Sequence, residues 1–286
     1  MAAPADLRDH TPAPLPAPPR SPLRLLPGAR PWAAAWPKLS AVVLVLVVWQ
    51  LVVWSGWRPQ FVLPAPLTVL RQFAEDVANG ELLAATAVTL RRAAVGYPVS
   101  VAVGTALGLL VARFRVLRTA VGSLITGLQT MPSIAWFPLA ILLFKLSEGA
   151  ILFVVVLGSA PSVANGLLSG IDHVPPLLLR AGQVLGARGW GTYRHVVFPA
   201  ALPAYMAGLK QGWAFAWRSL LAGEMLVIIA NRESLGVRLQ FARELSNAPV
   251  LIATMIGILL VGIVIDALVF GQVERRIRAR RGLASR

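Results

Sequence analysis

The sequence predicts an all-α, polytopic membrane protein with six transmembrane helices, and three observations carry that prediction. Hydrophobic residues make up 57% of the 286 positions and charged residues only 14%, against roughly 25% charged in an ordinary soluble domain. The apolar residues are gathered into runs: 39–57, 93–112, 119–144 and 149–171 contain no Asp, Glu, Lys or Arg. Each run is long enough to cross a hydrocarbon layer, which takes roughly 20 helical residues. Two further runs, 203–230 and 250–270, are apolar but hold Lys210, Arg218 and Glu224 in the first and Asp266 in the second.

The basic residues lie between and after the runs, where membrane insertion places them. With both termini in the cytoplasm, that side carries 17 Lys plus Arg: five in the N-terminal tail, three at 113–118, three at 180–194 and six after 270. The opposite side carries eight, so the bias favours this orientation. Arg91 and Arg92 fit the scheme least well, at the outer end of the second span. The formal charge of +15 raises nucleic-acid binding as a function, but this placement of the charge argues against it.

Taken in order, residues 1–38 read as a disordered, proline-rich cytoplasmic tail, because ten of them are Pro and little is apolar. A cleaved signal peptide is the rival reading of 1–57. The run 39–57 is longer than an h-region of about 7–15 residues and lacks a small-residue cleavage site, so it reads as an anchored first helix. Residues 58–92 form an outer connection. Within it Leu67, Leu70, Phe73, Ala74 and Val77 have helical spacing, as in an amphipathic interfacial helix that Asn79–Gly80 ends. Residues 93–270 form a five-helix core. In its first span Gly96, Ser100, Gly104 and Gly108 recur every four residues and let another helix approach closely. Packing within one subunit is favoured over a gate or dimer seam. Pro132 and Pro138 predict kinks in the third span, and Pro161 sits in the fourth. Residues 271–286 are a basic cytoplasmic tail.

The connection 172–202 is long, yet ordered in pattern. Pro175 and Pro176 can start a helix. Leu177, Leu178, Ala181, Val184 and Leu185 follow at helical spacing, then Gly186, Gly189 and Gly191 interrupt. Residues 192–198 can form a further turn before Pro199 and Pro203 begin the next span.

This stretch resembles the cytoplasmic signature of permeases of ABC importers that work with binding proteins, E-A-A-x3-G-x9-I-x-L-P. Here it reads Arg180-Ala181-Gly182, three residues, Gly186, nine residues, then Val196-Val197-Phe198-Pro199. Arg180 stands where the family usually has Glu, and Gly182 where it has Ala. Phe61-Val62-Leu63-Pro64-Ala65-Pro66, Pro199-Ala200-Ala201-Leu202-Pro203 and Ala222-Gly223-Glu224-Met225 look like the nitrate, taurine and aliphatic-sulfonate branch. The resemblance implies a type I ABC importer permease fold with a cytoplasmic coupling helix in the inner membrane. It implies partners too: a cytoplasmic ABC ATPase dimer, an extracytoplasmic substrate-binding protein and a second permease subunit, with a homodimer favoured. Arg180, Ala181, Gly182, Gly186, Val196, Phe198 and Pro199 would then carry the coupling to the ATPase.

No G-x4-G-K-[ST] phosphate loop is present, so no cofactor is expected in this chain and ATP would be bound by the partner ATPase. The absence of cysteine excludes disulfides and thiolate sites. His10, His173 and His195 are scattered and read as ordinary loop residues, and no pair of carboxylates is placed for acid–base work, so no enzyme is expected. An ion-gradient-driven secondary transporter is the alternative, but it usually shows inverted repeats and intramembrane coupling carboxylates. For substrate, the family branch implies a small anion: a sulfonate, then taurine or nitrate. Independently, Arg218 lies in the fifth span with Lys210, Trp213 and Trp217. A mid-span charge costs at least about 2.5–3.5 kcal/mol and so should face water or a partner. Arg suits oxyanions, with Trp as an apolar wall. Two readings stay open: this group lines a pathway, or Arg218 pairs with Glu224 or Asp266 while Lys210 snorkels.

Overall fold

The computed structural model describes residues 31–230 and 232–280; the expected tail at 1–30 and the last residues, 281–286, lie outside the described residues. Among the described residues the regular elements are all helical, with no strand. Two compact units divide the chain after Val48. The first contains most of helix α1, Pro31–Trp54. Residues 31–38, expected in the extended tail, are therefore helical. Pro31 stands at the first helical position, where its missing N–H is harmless, and Ala33, Ala34 and Ala35 favour helix.

The second unit opens with α2, Pro66–Ala78, the expected amphipathic helix, which ends at Asn79 ahead of Gly80 at φ +78. Next comes α3, Glu81–Arg113, 33 residues and so about 50 Å long. It starts well before the apolar run, which moves Arg91 and Arg92 from the outer connection into the body of a helix. Gly80 frees the chain to turn, and Glu81 suits the positive end of the helix dipole.

The run 119–144 is not one helix. α4, Arg115–Thr130, stops at Met131, which Pro132 holds extended at φ −74 and ψ 130. A 3-10 turn, Ser133–Trp136, leads to α5, Phe137–Phe144, and the two halves bend by 101°. Pro138 produces no kink, because it sits in the first turn of α5. α6, Glu148–Asp172, passes through Pro161 unbroken, and the Gln129 amide donates to the Pro161 carbonyl at 3.2 Å.

Beyond α6 come α7, Pro176–Val184, and a single turn α8, Trp190–Thr192. A π-helical turn, Tyr193–Val197, runs without a break into α9, Phe198–Leu226. α10, Leu235–Glu244, is capped by Ser234, and α11, Ala248–Ile265, by Asn247. A second π-helical turn, Asp266–Phe270, joins α11 to α12, Gly271–Arg280, so much of the expected basic tail is helical.

By length and composition, Glu81–Arg113, Glu148–Asp172 and Ala248–Ile277 can each cross a membrane, and the bent pair around Pro132 can supply a fourth span. Leu39–Trp54 is apolar but shorter. α9 has the length, yet carries Lys210, Arg218 and Glu224.

The core is α6 clasped between α3 and α9. Where water does not drive helices together, contact depends on close backbone approach. A Cβ at Gly104 would lie 2.5 Å from the Ala160 carbonyl oxygen, so the small-residue stripe of α3 faces α6 in the same chain. On the other side of α6, Gly166 and Gly208 stand back to back, and a Cβ on Gly208 would lie 2.6 Å from the Gly166 Cα. Phe137, Ile151, Val154, Trp213 and Leu220 fill the adjoining core.

Gly208→Val should lower the stability of the detergent-solubilised protein by about 1–3 kcal/mol, because it overpacks this crossing. Gly127→Ala in α4, where a Cβ meets nothing within 4 Å, should leave the melting temperature unchanged or raised. Size-exclusion melting of the two variants tests the contrast.

Candidate functional site

Three features stand out: a groove along α9, a glycine-ended loop and a buried ion cluster. The groove has a volume of about 1010 Å³ and runs between α9 and α11. Lys210, Trp213, Trp217 and Arg218 all line it, so the four residues proposed from sequence share one wall. Trp213 and Trp217 stack with centroids 5.9 Å apart, and Tyr97 meets Trp213 edge-on at 5.2 Å. The Tyr97 hydroxyl donates to the Leu209 carbonyl at 2.8 Å, which fixes this aromatic group to α9.

The charges do not pair as the second open reading has them. Lys210 Nζ pairs with Asp266 at 3.0 Å across the groove. Arg218 is exposed, with its Nε donating to the Ala214 carbonyl at 3.0 Å and its guanidinium 4.8 Å from the Phe215 ring. Neither Asp266 nor Glu224 pairs with it among the described residues. The groove thus presents a neutralised pair and one cation without a counter-carboxylate, beside an aromatic wall.

The loop residues fall into two contacts. Arg180, Ala181 and Gly182 lie on α7, with Arg180 exposed. The helix ends in a Schellman cap: Gly186 takes φ +87, its N–H donates to the Gln183 carbonyl, and the Ala187 N–H donates to the Gly182 carbonyl. Gly182 faces the π-helical turn, where a Cβ would come within 2.7 Å of a Val196 methyl. Its departure from Ala thus seats α7 directly on Val196. Phe198 and Pro199 open α9, with Trp190 edge-on to Phe198 at 6.1 Å. Val184 and Leu185 are each 87% exposed and Leu177 and Trp190 are nearly as open. The loop therefore shows an apolar surface that no described residue covers.

The ion cluster was missed from sequence. Arg92, 6% exposed, is held by two carboxylates. Its Nε and Nη2 donate to Glu148 at 2.8 and 2.9 Å, and its Nη1 to Glu224 at 2.8 Å. The other oxygen of Glu224 accepts from the Thr89 hydroxyl at 2.9 Å and the Gly236 N–H at 3.1 Å. One fully buried carboxylate thereby ties α3 and α9 to the start of α10, and Arg92 adds α6. The sequence signal was present: two charges inside apolar helices require partners. A second cluster joins α2 and α3 to α10, where Arg238 meets Asp76 at 2.8 Å and Glu81 at 3.0 Å. Burial works against the Arg238 charge, but these hydrogen bonds outweigh it and hold its pKa above the ordinary value.

This is the architecture and charge pattern of a transporter's membrane subunit. Residues 104–279 match the family described as binding-protein-dependent transport system inner membrane component. A protein of Methanocaldococcus jannaschii named as an ABC transporter permease is 33% identical over 233 residues, 80% of this chain and 86% of that one. A Bacillus subtilis protein named for aliphatic sulfonate transport is 27% identical, covering 86% of this chain and 88% of that one. The riboflavin transport system permease of Chloroflexus aurantiacus is 29% identical, covering 84% and 89%. The crystal structure of an amino acid ABC transporter with histidines shares the fold, with a TM-score of 0.55 at 18% identity over 71% of this chain and 98% of that one. The chain belongs to this family of inner-membrane ABC permease components, which are not enzymes.

Replacing Arg92 by Met should cost about 3–5 kcal/mol of stability, because Glu224 is then a buried charge without its counter-charge. Changing Glu224 to Gln in the same chain should restore part of that loss. A double-mutant cycle on melting of the solubilised protein measures the coupling; additive losses would contradict it.

Proposed function

We propose that this chain is the membrane-spanning permease subunit of an ATP-driven importer that moves a small anion of the sulfonate, taurine or nitrate class. The carrying observation is Arg218: an exposed guanidinium on a long helix, with no carboxylate partner among the described residues, beside stacked Trp213 and Trp217 in an open groove. A guanidinium offers a planar fork of donors to an oxyanion, and the indoles can cover an alkyl tail. The Lys210–Asp266 pair balances itself, which leaves Arg218 to meet the substrate charge.

In this reading six spans cross the membrane: α1, α3, the bent α4–α5 pair, α6, α9 and α11 with α12. Both termini lie in the cytoplasm. An extracytoplasmic binding protein delivers the anion, and a second copy of the chain completes the pathway. α7 is the coupling helix. Its bare apolar residues Leu177 and Val184, with Leu185 at its C-cap, are what an ATPase groove would cover, with Arg180 as the polar contact in place of the family's Glu. ATP binds to that partner and this chain needs no cofactor of its own.

One observation favours a second substrate. The stacked indoles also suit a flat ring, and a riboflavin permease is among the relatives. Uptake of radiolabelled alkanesulfonate, competed with taurine, nitrate or riboflavin, separates the two.

Arg218→Gln should lower anion uptake by about tenfold or more, as expected when a charged hydrogen bond to substrate is lost, while leaving co-purification with the ATPase intact. Unchanged kinetics would remove Arg218 from the pathway. Gly186→Leu should break the Schellman cap, because φ +87 is strained for any side chain. ATP hydrolysis should then continue without uptake, and the membrane abundance of the subunit should be normal. Uptake abolished by a protonophore but insensitive to ATP depletion would instead favour an ion-gradient-driven transporter.

A further inference from the structure

A smaller cavity, about 320 Å³, opens between α3 and α6 at the Glu148 end of the molecule. Arg91, Arg92, Glu148 and Arg232 form its polar side, and Val95 and Leu152 its apolar side. Arg92 is fully engaged with Glu148 and Glu224, and Arg232 reaches Glu148 at 3.2 Å. Arg91 is exposed and has no partner among the described residues. Three guanidinium groups therefore face two carboxylates, and the cluster carries one net positive charge.

Depth along α3 says what meets that charge. The charge-free run 93–112 spans about 30 Å as helix, the thickness of a bilayer's hydrocarbon core. Arg91 lies just beyond it, so a bilayer whose hydrocarbon core matches this run would bring lipid phosphates to its level. Glu148, the first residue of α6, lies beside it through Arg92. Below Arg91, Val95 is half exposed and Val99 continues the same apolar strip toward the bilayer centre.

We propose that this cavity binds the phosphate of an anionic phospholipid, with Arg91 and Arg232 on the phosphate oxygens and an acyl chain along Val95 and Leu152. A phosphodiester carries one negative charge and closes the balance of the cluster. A lipid is favoured over a free anion because the apolar side of the cavity continues into the hydrocarbon layer. The site is separate from the Arg218 groove and does not depend on the substrate assigned there.

The test is native mass spectrometry of the full chain released from nanodiscs of equimolar phosphatidylglycerol and phosphatidylcholine. The wild-type chain should retain phosphatidylglycerol in preference by about fivefold, the value expected for one interfacial basic residue. Arg91→Gln should abolish the preference, Arg91→Lys should keep most of it, and Arg232→Gln should reduce it. Arg71→Gln, on the exposed face of α2, should leave it unchanged. Because Arg91 is exposed, its variants should melt with the wild type; should Arg91→Gln fail to fold, Arg232→Gln carries the same test. The proposal is overturned if Arg91→Gln keeps the preference or if Arg71→Gln loses it equally. It is also overturned if inorganic phosphate displaces the lipid, which would assign the cavity to a soluble anion. A loss of uptake in Arg91→Gln with lipid preference intact would assign it to a protein partner instead, and overturn it too.

Discussion

A charge buried inside a protein must be matched by the protein, because burial strips it of water. Arg92 meets this constraint by drawing Glu148 and Glu224 onto one guanidinium, and Glu224 in turn collects Thr89 and the N–H of Gly236. Four helices, α3, α6, α9 and α10, are fixed at one point. The arrangement adds little net stability compared with an apolar core of the same shape, but removing either partner alone is costly. Its effect is specificity: the start of α10 cannot sit elsewhere without leaving a buried carboxylate unsatisfied.

The rest of the fold follows a different economy. Away from the cluster, α3, α6 and α9 adhere through backbone proximity, since lipid tails compete equally for large apolar side chains. Hence Gly104 against Ala160 and Gly166 against Gly208 mark the crossings, while Leu, Val and Ile cover the outside. Exposed hydrophobic residues such as Leu142 and Leu110 would be a defect in water; facing acyl chains they are the ordinary solvent surface.

Local features were legible in the sequence and distant pairings were not. The amphipathic spacing of α2, the Pro176 start and Gly186 end of α7, and the break at Pro132 are written within a few residues each. The glycine stripe of α3 also reads correctly, because its spacing alone defines a face. The start of α3 at Glu81 was missed because the apolar run begins a dozen residues later, although Gly80 and Glu81 are the local start signal. Arg92 looked misplaced because its partners stand 56 and 132 residues away. Asp266 was considered for Arg218 rather than Lys210, since sequence gives no measure of which turn of α11 lies opposite which turn of α9. The four groove residues did come together, because one helix carries them all on adjoining faces.

The junction between α8 and α9 has a mechanical consequence. From Trp190 to Leu226 the chain is helical throughout, a rod of about 55 Å. α7 bears on that rod near its lower end, through Gly182 against Val196. The helix then continues past Arg218 to Glu224, with Pro203 inside it. The wider π-helical turn beside Val196 and the missing N–H of Pro203 are two places where the rod departs from regular α-helix. The α7 contact at Val196 and the groove wall at Lys210–Arg218 are thus parts of one continuous helix, so a displacement of the first is shared by the second as far as Pro203 lets it pass.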